Sequence, residues 1–260
     1  LSVLPFPATH LSILERLRGG DPQERRAAFG DLAAGYWRPS YHYLRLQWHL
    51  APEAAEDAVQ AFFTVAFEKG YLEKYDPSKA RFRTFLRVCL DRFVQKSQKA
   101  EATQRRGGLT ERLPLDFPGA ERELAERAAA DLNDPDRFFR DETIRALFGR
   151  ALESLRRACD TDGKPLVFRV FERHDVRPED DTSYASVARE LGLTIAQVTN
   201  YLHVARRRFR ELILTHLRDL VADDQEFRAE ARDLLGLDPR ASSASEARAR
   251  AKPPAEENTP

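Results

Sequence analysis

The segment Ser183-Tyr-Ala-Ser-Val-Ala-Arg-Glu-Leu191, Gly192-Leu193, Thr194-Ile-Ala-Gln197 carries two helix starts in close succession. Thr182 or Ser183 supplies a side-chain oxygen to the first amides of a two-turn helix, and Gly192 stands where the end of that helix asks for a left-handed residue. Thr194, with Gln197 three residues on, forms a capping box in which the hydroxyl takes the third amide and the glutamine reaches back. It opens a long helix predicted to run to Leu214. Ala188 is small where the two helices must approach, and Val187, Leu191, Leu193, Val198 and Leu202 supply a small core between them. Helix, glycine turn and capped helix in this order predict a helix-turn-helix.

At about 100° per residue, Val198, Leu202, Ala205, Phe209 and Leu212 share one face of the second helix. The opposite face presents Ala196, Thr199, Asn200, His203 and Arg207, flanked by Arg206 and Arg210. Amide and hydroxyl side chains near the start of such a helix suit adenine and thymine edges, whereas arginines further along suit phosphates. With Ser183 and Gln197 at the two helix starts, the candidate duplex contacts are Ser183, Gln197, Thr199, Asn200, His203, Arg206, Arg207 and Arg210. An isolated basic run would read as a solvated helix face; beside a capped helix pair it reads as a DNA face.

Upstream, Glu53 to Lys69 sets Val59, Phe62, Phe63, Ala66 and Phe67 at three-and-four spacing between Pro52 and Gly70, which predicts a helix. Arg81 to Gln98 gathers Phe82, Leu86, Cys89, Leu90 and Phe93 on one side, with Arg81, Thr84, Val88, Asp91, Arg92 and Gln95 on the other. Pro135 to Ala158 and Pro165 to His174 read as further helices, and no segment alternates as a strand does. The expected fold is all-α, two helical domains joined by a linker, the C-terminal one containing the helix-turn-helix. The linker, Glu111 to Glu142, is mostly acidic and broken by Pro114, Pro118 and Pro135, with a short helix near Glu121 to Ala130.

Across 260 residues, 42 Lys and Arg balance 42 Asp and Glu, and 32% charged residues with no long apolar run argue against a membrane protein. Leu1 to His10 has no basic start followed by an apolar block, so the expected location is cytoplasmic. Cys89 and Cys159, far apart on apolar patterns, are expected as buried thiols. The histidines, among them His42, His49, His174 and His203, show no metal-ligand spacing and no nucleophile partner, so neither metal, cofactor nor catalysis is expected. The balanced total hides segregation. Lys79, Arg81, Arg83, Arg87, Arg92, Lys96, Lys99, Arg105 and Arg106 face only Asp91 and Glu101, while Asp219 to Asp238 is acidic. Arg240 to Pro260, rich in Ser, Ala and Pro, is expected to be disordered.

Two stretches precede the helix pair: Glu56-Asp-Ala-Val-Gln-Ala-Phe-Phe63 and Tyr75-Asp-Pro-Ser-Lys-Ala-Arg-Phe-Arg-Thr-Phe-Leu86. They resemble the core-binding and promoter-melting regions of an extracytoplasmic-function (ECF) RNA polymerase sigma factor, and Ser183 to Leu214 resembles its C-terminal promoter-binding domain. The resemblance spans about Asp21 to Arg218 in the family's order. Phe6-Pro-Ala-Thr-His10, Arg105-Arg-Gly-Gly108 and the acidic extension resemble one branch of that family. It implies sigma domain two at 1–106, an acidic linker at 107–140, sigma domain four at 141–218, and an acidic helical extension with a disordered tail at 219–260. The implied partners are core RNA polymerase and promoter DNA, with an anti-sigma factor or other regulatory protein as a further candidate and no membrane.

Residue by residue, the resemblance implies polymerase binding by Glu56, Asp57 and Gln60, with Phe63 and Phe67 anchoring the other side of their helix. A carboxylate and an amide on one helix face can meet arginines of a partner helix, although Glu53, Glu56 and Asp57 also simply complement a helix N-terminus. The loop at Tyr75 to Ala80 and the following helix correspond to the strand-opening element, which implies near-element DNA contacts at Ser78, Lys79, Arg81, Arg83, Arg87, Arg92 and Lys96. Phe82 and Phe85 equally read as core. The chain departs from the family at Ala61, where an acid is usual, at Phe85, where tryptophan is common, and at Thr199 and Val204, where arginines are frequent. A rival reading is an autonomous helix-turn-helix regulator that dimerises through its N-terminal half; another is a helical interaction protein that no longer binds polymerase. For the extension, Val221, Phe227, Leu234 and Leu235 predict an apolar stripe. Two roles stay open there: masking of Arg206 to Arg210 by Asp219, Asp223, Asp224, Glu226, Glu230 and Asp233, or packing as a last stabilising helix.

Overall fold

In chain order the helices are α1 (Ile13–Gly19), α2 (Pro22–Leu46), α3 (Pro52–Glu68), α4 (Phe82–Glu101), α5 (Phe117–Ala125), α6 (Pro135–Thr161), α7 (Pro165–Phe171), α8 (Tyr184–Leu191), α9 (Ile195–Arg218) and α10 (Asp224–Leu235). The computed structural model describes residues 13–19, 21–101, 113–125 and 134–236. The expectations for 6–10, 105–108, 126–130 and the tail from 240 lie outside them. Among the described residues there is no strand, and the fold is all-α. No described helix is long and apolar enough to cross a membrane.

Local chemistry sets most helix starts. Asp21 accepts from Gln23 N and Glu24 N at 2.8 and 2.9 Å, Asp134 from Asp136 N and Arg137 N at 3.0 and 3.1 Å, and Asp223 from Glu226 N at 2.7 Å. Proline opens α2, α3, α6 and α7. The exception is α4, preceded by Ala80 and Arg81, neither of which can cap. Its first amide, Phe82 N, donates instead to Glu226 Oε1 of α10 at 2.7 Å, a cap from 144 residues away.

The largest core gathers Leu32, Leu44, Phe62, Phe63, Leu86 and Leu90 with Phe139 and Leu147 of α6, Leu217 of α9 and Leu234 of α10. Two smaller cores lie beside it among the described residues. Leu155 and Cys159 of α6 meet Phe168 and Phe171 of α7 and Ala205 of α9, while Val170, Val187, Ala188, Val198 and Leu202 fill the space around α8. At about 1.5 Å per residue α6 extends for about 40 Å, so its first half lies in the large core and its second half in a small one. Helix α9 likewise runs past the expected Leu214 to Arg218, because Ile213 and Leu217 are drawn into the large core. The chain after α9 lies directly on α2, where a Cβ at Gly35 would collide with the Leu220 side chain.

A polar junction links α2, α5 and α6. His42 Nδ1 bonds Glu142 Oε2, both side chains fully enclosed, and His42 Nε2 lies 3.1 Å from Ala120 O. Arg45 grips Glu121 at 2.9 and 2.6 Å, and this contact, against the upward pull of burial, lowers the Glu121 carboxyl. Cys159 is buried as expected, but Cys89 is only partly buried. Val94 takes the inner position on α4 that the spacing gave to Cys89 and Phe93.

Candidate nucleic-acid interface

Ser183 Oγ accepts from Ser186 N at 3.1 Å while Ser186 Oγ accepts from Ser183 N at 2.8 Å, and α8 closes on Gly192 at φ 65°. After Leu193, Thr194 Oγ1 accepts from Gln197 N at 3.2 Å and Gln197 Oε1 from Thr194 N at 2.8 Å. Two capped helices joined by the three residues Gly192, Leu193 and Thr194 thus bury Val187, Ala188, Val198 and Leu202 between them. On the outer side of α9, Gln197, Thr199, Asn200, His203, Arg207 and Arg210 are all exposed. Thr199 Oγ1 donates to Ile195 O at 2.9 Å. Ile195 itself is 54% exposed at the first turn, an apolar tip suited to a thymine methyl, and periodicity alone gave it no role.

The basic run on α9 divides in two. Arg206 is clamped by Nε and Nη2 to Asp175 at 2.7 and 2.8 Å, and Arg208 pairs with Asp162 at 2.7 Å. The Arg206 bonds, reinforced by His174 and opposed by burial, hold the Asp175 carboxyl below its ordinary range. Arg207 and Arg210 make no ion pair among the described residues. The acids of α10 do not reach this run as the masking role required: among the described residues they pair with Arg81, Arg83, Arg140 and Arg218. The cause is the chain reversal at Leu220 to Ala222, whose buried side chains direct α10 back across α6, with its acids reaching α4.

At the head of α4 the near-element candidates are therefore largely occupied. Asp76 accepts from Ser78 N and Ser78 Oγ at 3.0 and 2.6 Å and pairs with Lys79 at 3.1 Å, the serine bonds leading a drop of its carboxyl to about 2. Arg81 and Arg83 both meet Glu230 and Asp233 of α10, with Arg83 Nη2 at 2.6 Å from Asp233 Oδ2. Arg87 pairs with Asp91 at 2.7 Å and Asp136 at 2.8 Å. Arg92 and Lys96 are exposed, with no ion pair among the described residues. Phe82 is core and Phe85 half-buried, both stacked around Tyr75. Burial pushes the Glu230 carboxyl up against the pull of Arg83 and Arg81; Asp233, pulled up by burial too, is held low by the Arg83 bond.

The three polymerase-binding candidates separate. Asp57 is exposed and Glu56 half-buried, but Gln60 is buried, its Nε2 donating to Leu113 O at 2.8 Å and its Oε1 accepting from Leu113 N at 2.9 Å. The segment 113–116 covers this side of α3, so Gln60 does not share an accessible face with Asp57 in this structure. Sequence reasoning also missed Glu226 as a ligand of α4; its place one turn before Glu230 on the apolar side of α10 was the available signal. No family model matches the chain, and neither the curated proteins nor the solved structures give a significant match.

Proposed function

We propose that the protein is a dissociable transcription initiation factor of the ECF sigma type, which binds core RNA polymerase and directs promoter recognition. The observation that carries this reading is the exposed face of Gln197, Thr199, Asn200, His203, Arg207 and Arg210 on a capped helix pair with the proportions of a helix-turn-helix. In this reading Asn200 and Thr199 read base edges of the distal element, while Arg207 and Arg210 hold phosphates. Ser183 caps the helix that crosses the backbone, and Arg206 is positioned by Asp175.

The N-terminal part, 1–106, then serves as the polymerase-binding and strand-opening domain, 107–140 as its link to the C-terminal domain at 141–218, and 219–260 as an added extension. Arg92 and Lys96 are the open cations of the strand-opening helix, with Ser78, Lys79, Arg81, Arg83 and Arg87 recruited as their internal pairs exchange. Polymerase docking falls on Asp57 and Glu56, and Gln60 joins once the 113–116 segment lifts. The buried state of Gln60 favours one second reading, an autonomous helix-turn-helix regulator that needs no polymerase. Run-off transcription with purified core enzyme on the promoter of the protein's own operon tests the proposal: a discrete transcript dependent on this protein is expected, and its absence with duplex binding retained favours the regulator.

A further inference from the structure

A helix whose only task is to complete a core buries apolar side chains. Of the five residues that α10 buries, two are acids, Glu226 and Glu230, beside Phe227, Ala231 and Leu234. Burying paired charges costs in desolvation about what the attraction returns, and here two enclosed atoms, Glu230 Oε1 and Arg140 Nε, make no hydrogen bond at all. The contact is matched in sign, and these two atoms are held by ion-pair partners at 3.5 and 3.4 Å rather than by hydrogen bonds.

Its layout is that of an anion site. Glu226 Oε1 takes the first amide of α4 at 2.7 Å and the Tyr75 hydroxyl at 2.6 Å, where the exposed N–H groups of a helix start would hold a phosphate. Glu230 and Asp233, four and seven residues on, continue the negative line for about 10 Å along α10 and engage the guanidinium forks of Arg81 and Arg83. Arginine forks bind carboxylate and phosphate in the same way. Resting on the reading of α4 as a DNA-contacting helix, we propose that α10 is an autoinhibitory strap whose carboxylates stand where backbone phosphates of the opened promoter strand bind once it lifts. Strand DNA and α10 compete for Arg81, Arg83 and the head of α4, while Arg92 and Lys96 give DNA a first hold in the closed state.

The test uses the full chain and a fluorescein-labelled single-stranded oligonucleotide of mixed sequence, with affinity read by anisotropy across a salt series. Glu230→Gln with Asp233→Asn should bind at least about tenfold tighter, as for a site competent in about a tenth of the wild-type molecules. The log–log salt slope should steepen by about 1.4, the share of two freed cations on a single strand. Adding Arg81→Ala and Arg83→Ala should erase the gain. Unchanged affinity in the α10 variant, or a gain that survives loss of both arginines, overturns the strap. Arg92→Ala with Lys96→Ala in the otherwise unaltered chain tests the underlying reading separately. Weakened binding there with no gain from the α10 variant leaves the α4 reading standing and removes the strap; no effect there removes both. Hydrogen exchange on the unaltered protein is independent of how the variants fold: oligonucleotide should speed exchange of the α10 amides, and slowed or unchanged exchange contradicts the proposal.

Discussion

On the outer side of α9, Asn200, His203, Arg207 and Arg210 stand in solvent, whereas at the head of α4 Arg81, Arg83 and Arg87 each hold at least one carboxylate of the same chain. The two faces carry similar charge in the sequence, so charge alone does not tell which is accessible. Availability is decided by where the acids lie after folding. The acidic helix α10 follows α9 in sequence yet settles on α4, because the buried turn at Leu220 to Ala222 returns the chain to the large core. The α9 face is open and the α4 face is guarded.

Both faces hang on α6, which shares cores with each, so the comparison breaks first if the two halves prove independent. Glu142→Leu removes the hydrogen-bond partner of enclosed His42 and should cost about 1 to 3 kcal/mol in urea unfolding. One transition shared by both halves is expected, with part of the loss recovered by adding His42→Leu. Two separate transitions, or a loss below about 1 kcal/mol, would show that the junction does not hold the faces together.

Within the open face, readers and holders should differ. Asn200→Ala should cost about 1 to 3 kcal/mol at one base position and relax preference there. Arg207→Ala should weaken all duplex sequences alike and flatten the salt slope by about 0.9. Equal loss on every sequence for Asn200→Ala would sink its role as a reader.

The turn that presents this face can be strained without steric conflict, since a Cβ at Gly192 meets nothing within 4 Å. At φ 65° an L residue is nevertheless disfavoured, so Gly192→Ala should lower stability by about 1 kcal/mol in denaturant unfolding. No loss would mean the turn relaxes to another conformation.

The smallest effect concerns Arg206, which flanks the open face and is paired with Asp175. Because the Asp175 carboxyl is held low chiefly by Arg206, its contribution is complete above the ordinary value of about 3.9 and is lost as pH falls through the depressed one. Asp175→Asn should lower the melting temperature at neutral pH, and the two proteins should converge on acidification. The freed Arg206 should steepen the duplex salt slope by up to about 0.9. Curves that stay parallel into acid would remove Asp175 from the account.

What was legible in the sequence was local. Ser183, Gly192, Thr194 and Gln197 act within five residues of their partners, and their caps fall where spacing put them. The buried stripe of α3 follows for the same reason except at Phe67, and that of α9 as far as Ala205, beyond which Ile213 and Leu217 are buried rather than Phe209 and Leu212. What was hidden depends on segments far apart in the chain. Gln60 lies 53 residues from Leu113, and nothing in the pattern of α3 tells that so distant a segment covers it. Likewise, Phe82 and Glu226 meet across 144 residues, so a basic helix start without a cap read as free cation when it was capped by a distant acid.

Footprinting on the promoter of the protein's own operon, with the protein alone, core polymerase alone and both together, separates a polymerase-dependent factor from an autonomous regulator. Two protected elements, distal and near, are expected only when both are present. Protection by the protein alone would contradict the proposed function in favour of an autonomous regulator, and no protection with both present would contradict it outright.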